Sequence, residues 1–106
     1  MCGAILSHRH PKSMDPLSKT LNTYLVAMAY EGATHEQEHQ MEHLLDILEP
    51  ADEQMLISYY GLFGEPRHSL ADIAAMRHQS PEDALAAIER SIRKIAVTPE
   101  WQTIKG

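Results

Sequence analysis

The residues His35-Glu36-Gln37-Glu38-His39 spell H-E-x-x-H, and His43 extends the histidine row by another turn. Histidines four apart on a helix share a face. Two imidazoles so placed could chelate zinc, with Glu36 as a general base. Three features oppose a hydrolase. On a helical wheel the row lies nearly opposite Met41, Leu44, Leu45 and Leu48, so it faces solvent and not a cleft. No strand-like alternation exists to flank a substrate, and a segment this rich in His and Glu generates the match readily. The favoured reading is a solvated, pH-responsive face. Adventitious transition-metal binding by His35, His39 and His43 comes second. No Gly-rich phosphate loop or nucleophile elbow is present, so neither enzymatic activity nor a cofactor is expected.

A second set of residues could bind a partner. Arg77, Ser80, Glu82, Arg90, Arg93 and Lys94 fall within one stretch of 18 residues. Arginine can make bidentate contacts to guanine, and Arg or Lys can neutralise phosphates. Charge bounds how that set could act. The whole chain carries a formal −6, which argues against non-specific nucleic-acid binding held by phosphate contacts. The balance is +1 over residues 1–33, −7 over 34–68 and zero over 69–106. The acidity therefore belongs to the middle of the chain and does not decide the question for residues 69–106. Cations near a helix C-terminus also have a purely structural use, because they complement the helix dipole.

These residues need elements to position them. At 106 residues the chain makes one domain with a modest core. Asp15 caps a helix whose first residue is Pro16; Leu17, Leu21, Tyr24, Leu25 and Met28 recur at helical spacing until Gly32 stops it. Thr34 begins a second helix, 34–48, with an apolar stripe of Met41, Leu44, Leu45 and Leu48. A third runs from about Pro50 to Tyr60, and the stretch Gly61–Pro66 forms a loop. Ser69 caps a fourth helix, with Asp72 completing a capping-box-like pair and Leu70, Ile73, Ala74 and Met76 facing inward. After His78-Gln79-Ser80, Pro81 opens the last helix, whose inward stripe is Leu85, Ile88, Ile92 and Ile95. Thr98-Pro99 ends it, leaving a tail from which Trp101 folds back. The pattern predicts an all-α, five-helix single domain over 16–106 with a C-terminal helix-turn-helix, preceded by a flexible segment over 1–15.

The order from Leu48 to Ile95 resembles region 4 of bacterial sigma factors, the part of RNA polymerase's specificity subunit that reads promoter DNA. Leu48, Pro50, Glu53, Leu56, Tyr60-Gly61-Leu62, Ser69-Leu70, Ile73 and Ala74 stand at matching places, as do Ser80, Glu82, Arg93, Lys94 and Ile95. The resemblance covers about half of the chain and implies a helix-turn-helix at about 50–97. It also implies contact with RNA polymerase or a sigma-related protein, or with double-stranded promoter DNA. The departures lie in the DNA-reading part. Pro81 and Asp83 replace the family's two arginines, and Leu85 and Ala86 replace later polar positions. Arg77 and Gln79 occupy places where apolar residues pack, and His78 replaces the small residue of the turn. With Leu85 in the apolar stripe, the recognition helix is expected to be rotated from the family register.

The functional expectation is a small transcription-associated protein resembling sigma region 4. It would act by contact with RNA polymerase or promoter DNA, with protein contact ahead of sequence-specific reading. The alternative is a helical interaction or dimerisation module that kept the scaffold and lost DNA reading, with the apolar helix 16–31 available to pair in a homodimer. No apolar run reaches the ~20 residues of a membrane span, Met1–Leu6 is too short for a secretory signal, and the single cysteine, Cys2, points to a reducing cytoplasm.

Overall fold

Four helices begin at a proline: Asp15-Pro16, Glu49-Pro50, Ser80-Pro81 and Thr98-Pro99, with Asp15, Glu49 and Ser80 in extended backbone. Proline suits the first helical position because its fixed φ is already helical and the N–H it lacks would have no partner there. Asp15 and Ser80 add side-chain caps, accepting from the backbone N–H of Ser18 at 2.8 Å and of Asp83 at 3.1 Å. Thr98 caps likewise, accepting from Trp101 N–H at 3.2 Å.

The structure, a computed structural model, describes residues 15–105. Its helices are α1 (Pro16–Glu31), α2 (His35–Leu45), α3 (Pro50–Tyr60), α4 (Leu70–Met76), α5 (Pro81–Ala96) and α6 (Pro99–Lys105). The all-α expectation stands, but among the described residues there are six helices where five were expected. Thr98-Pro99 ends α5 and at once starts α6, because the pair that terminates a helix is also a good cap and N1. The flexible lead-in expected over 1–15 lies, apart from Asp15, outside the described residues, as does Cys2.

Thr34 and Gln37 form a full capping box on α2, with reciprocal bonds of 2.9 and 3.0 Å. Ser69 caps α4 through Asp72 N–H at 3.1 Å. Helix α2 ends at Leu45, three residues short of the expected boundary, and Asp46–Leu48 tightens into i→i−3 turns from Ile47 to Leu44 and Leu48 to Leu45.

The Tyr60-Gly61-Leu62 step has a clear physical account. Gly61 is left-handed at φ +75, and a Cβ there would stand 3.0 Å from Arg67 Cβ. Both the conformation and the close approach of the returning loop therefore require glycine. Tyr60 is buried and donates from its hydroxyl to Asn22 Oδ1 at 2.5 Å, fastening α3 to α1, while Leu62 seals the core. Burial pushes the Tyr60 hydroxyl pKa up, so it remains a donor.

Helix α5 is the hub, packed against α1, α3, α4 and α6. Its buried arc is Ala84, Ala87, Ile88, Ser91, Ile92, Ile95 and Ala96. Leu85 is not in it; the side chain is 37% exposed. The stripe is thus centred on the Ala84 side of Ile88, and Leu85 gives no reason to expect a rotated helix. Alanine and serine at the contact let neighbouring helices approach closely, and buried Ser18 on α1 does the same from the other side. Met76 is likewise 55% exposed instead of inward-facing.

The apolar face of α1 is already spent. Leu21, Leu25 and Met28 are buried in the same core as Leu56 and Ile92. The expectation that this face is free for dimerisation therefore loses its basis. Trp101 does fold back: it is fully buried and meets Tyr24 edge to face, with ring centroids 5.1 Å apart.

Candidate interaction surface

The six candidate contact residues do not form one site. Arg77 follows α4 and is committed inside the fold. Its Nε donates to Gln79 Oε1 at 3.1 Å, and its two terminal nitrogens reach the Ala51 carbonyl at 3.3 Å and Asp52 Oδ1 at 3.2 Å. It straps the α4–α5 turn onto the first turn of α3. This explains why Arg77 and Gln79 stand where packing residues were expected: the polar pair closes the turn by hydrogen bonds instead of apolar burial. His78 holds φ +58 between them, a conformation that glycine would adopt at lower cost.

Ser80 is occupied as the α5 cap. Glu82 and Asp83 follow in the first turn, both exposed. They favour the positive end of α5, and they make the outward-facing start of this helix anionic. Leu85 adds an exposed apolar side chain one turn later.

Arg90, Arg93 and Lys94 are exposed in the C-terminal half of α5. Between Glu82 and Arg93 the helix rises roughly 16 Å, so the anionic and cationic ends are separate surfaces. Arg93 is 3.7 Å from Asp15 Oδ2 and 70% exposed. Ser18 N–H bonding holds the Asp15 carboxyl below its ordinary pKa of 3.8, with Arg93 contributing less. Arg90 stands at the junction of two clefts. One runs toward α1 with Asp15, Ser18 and Glu89; the other runs toward α3 with Asp52 and Lys94. Each flank of the cationic ridge thus carries an aspartate. On the acidic side of the chain, burial raises the Glu53 pKa above 4.5, and neighbouring Asp46 and Glu42 raise it further.

The histidine row is exposed, as its position on the wheel requires. His39 and His43 rings sit edge to face with centroids 4.9 Å apart. They line an open groove of about 460 Å³ together with Leu44, Ile47, Glu100 and Ile104. Among the described residues no three His, Cys, Asp or Glu side chains converge to hold a metal ion, so His35, His39 and His43 do not form a three-ligand set.

The sequence reading missed Met76 and Leu85 as surface groups because both were assigned inward by spacing. It also missed a cleft between α1 and α6, since α6 itself was not expected. The signal for α6 was available in Thr98-Pro99-Glu100, which repeats the cap-proline-acid order of Ser80-Pro81-Glu82. No helix of the described residues is long and apolar enough to cross a membrane. No protein-family model, curated protein or solved structure matches the chain.

Proposed function

We propose that this chain is a transcription-associated helix-turn-helix protein, sigma region 4-like in scaffold, that acts by contacting a protein of the transcription machinery and not by reading promoter DNA. In this reading α4 and α5 are the helix-turn-helix, and α5 takes the place of the recognition helix. The observation that carries the protein-contact version is the outward start of α5. Glu82 and Asp83 are exposed there, Leu85 follows, and no cation stands in the first two turns.

A recognition helix enters the major groove with its N-terminal residues toward the base edges. Two carboxylates at that end would meet phosphate and base acceptors. Each bidentate arginine–guanine contact is worth about 1–3 kcal/mol of discrimination, and none is available from these turns. Arg77, the nearest arginine, is tied to Asp52 and Ala51. The same surface suits a protein, because exposed Leu85 and Met76 offer apolar area beside acidic groups.

The test has two arms. Immobilised full-length chain is challenged with purified RNA polymerase core, with and without a sigma factor, and labelled promoter duplex is titrated by fluorescence anisotropy at low and moderate salt. The reading requires polymerase or sigma retention that Leu85→Glu abolishes, together with a flat DNA titration. A salt-dependent duplex isotherm lost in an Arg90→Ala, Arg93→Ala, Lys94→Ala triple variant would instead establish DNA binding and end it.

A further inference from the structure

Ala87, Arg90, Ser91 and Lys94 recur at i, i+3, i+4 and i+7 along α5, so they share one face. That face and Asp52, in the first turn of α3, wall a cleft of about 120 Å³. This is well below the ~300 Å³ at which sites for drug-sized ligands begin, so the cleft takes one small group. Ser91 is only 4% exposed, and its hydroxyl makes no hydrogen bond among the described residues. Nor is that hydroxyl sealed off. Among the described residues the one fully enclosed side-chain nitrogen or oxygen without a partner is Trp101 Nε1, so Ser91 Oγ opens toward the cleft that the residue lines. Helix α3 has no side-chain cap. The Ala51 and Asp52 N–H groups find no acceptor among the described residues, which leaves two backbone donors in the turn that forms the opposite wall.

We infer that the α3–α5 cleft binds one doubly charged phosphate group, as free phosphate or as the end of a small phosphorylated molecule. Arg90 and Lys94 are its counter-cations, and the Ser91 hydroxyl is a donor to it. Neither cation has an ion-pair partner among the described residues. Asp52 brings a carboxylate to the wall, but Arg77 Nη2 lies 3.2 Å from its Oδ1, so positive charge remains in excess. Two cations with donors from two helices suit a tetrahedral dianion, whose oxygens accept from several directions. A phosphodiester carries one charge and two substituents, and a cleft this small has no room for them. The site lies in the C-terminal half of α5, away from Glu82 and Asp83, and does not depend on the transcriptional reading.

The full chain is titrated with inorganic phosphate, glycerol 1-phosphate and dimethyl phosphate at mildly alkaline pH, with chloride holding the ionic strength constant. Mildly alkaline solution keeps the first two doubly charged, since the second phosphate pKa is about 6. The Asp52 and Ser91 amide resonances are followed in proton–nitrogen correlation spectra. The expected result is saturable movement of both with inorganic phosphate or glycerol 1-phosphate, the tighter of the two naming the source, and at least tenfold weaker binding of dimethyl phosphate. Ser91→Ala and Lys94→Gln should each weaken binding at least fivefold while keeping the parent melting curve. Arg67→Gln, at the far end of α3 beside Gly61, should leave the titration unchanged. Absence of saturation with both dianions overturns the proposal. So does dimethyl phosphate binding as tightly as they do, binding undiminished in either folded cleft variant, or an equal loss in Arg67→Gln, which would mark general attraction to surface cations.

Discussion

His78 shows how one side chain can carry a cost that the rest of the turn absorbs. It is held at φ +58, while Arg77 and Gln79 on either side lock the turn by hydrogen bonds. His78→Gly is expected to stabilise the chain by roughly 1 kcal/mol, the order of the left-handed penalty for a residue with Cβ, read as a higher urea midpoint. Two carboxylates give opposite pH signatures. Asp15 has its pKa lowered in the folded chain, so its contribution is present above the ordinary value of 3.8 and is lost as pH falls through the folded value below it. Glu53 has its pKa raised above 4.5, so its ionised form opposes folding at neutral pH and protonation relieves it. Glu53→Gln should therefore raise the melting temperature at pH 7, by less than about 1 kcal/mol in stability. The gain should disappear in melts run below the ordinary glutamate pKa. A gain that persists at low pH would show that the charge is not its origin.

Helices α3, α4 and α5 are held in place by a polar strap as much as by packing. Arg77 joins the α4–α5 turn to α3 through Asp52 and the Ala51 carbonyl. Arg77→Ala leaves Asp52 half-buried without its cation and should cost about 1–3 kcal/mol, measured by chemical denaturation. If α5 does not use Arg77 for DNA, the variant's nucleic-acid titration should match that of the parent. Trp101 is the largest anchor of helix α6, beside Ile104 against the core and the Gln102 side-chain bond to the Ala96 carbonyl. Trp101→Ala should cost about 3–5 kcal/mol, because the indole is fully buried against Tyr24. Loss of helical circular dichroism amounting to the seven residues of α6, before the main transition, would show that this element melts separately.

At the scale of the whole molecule, one core joins both halves of the chain. Leu21, Leu25 and Met28 of α1 share it with Leu56, Ile73 and Ile92, and the Tyr60–Asn22 bond crosses the same boundary. A fragment starting at Thr34 should therefore fail to fold, although it retains every residue of the sigma-like resemblance. Cooperative melting of such a fragment, followed by circular dichroism, would contradict this. The charge distribution acts at the same scale. The acidic stretch 34–68 and the exposed carboxylates opening α5 leave the cations Arg90, Arg93 and Lys94 as a short ridge flanked by Asp15 and Asp52.

Local rules sufficed wherever a residue acts on its own backbone. Asp15-Pro16, Thr34 with Gln37, Ser69 and Ser80 cap the helices that their types and positions demanded. The stop at Gly61 was equally legible, since a left-handed residue after a helical run is a chain-local requirement. Burial was not. Leu85 and Ala84 are neighbours in sequence, and only the approach of the surrounding helices makes alanine the buried one and leaves leucine in solvent. The fate of Arg77 likewise depended on Asp52, 25 residues earlier. Spacing placed the histidine row opposite the apolar stripe of its helix and so in solvent, but it could not say that Ala84 would be covered before Leu85 or that Arg77 would meet Asp52, because burial at such positions is a property of the partners and not of the helix.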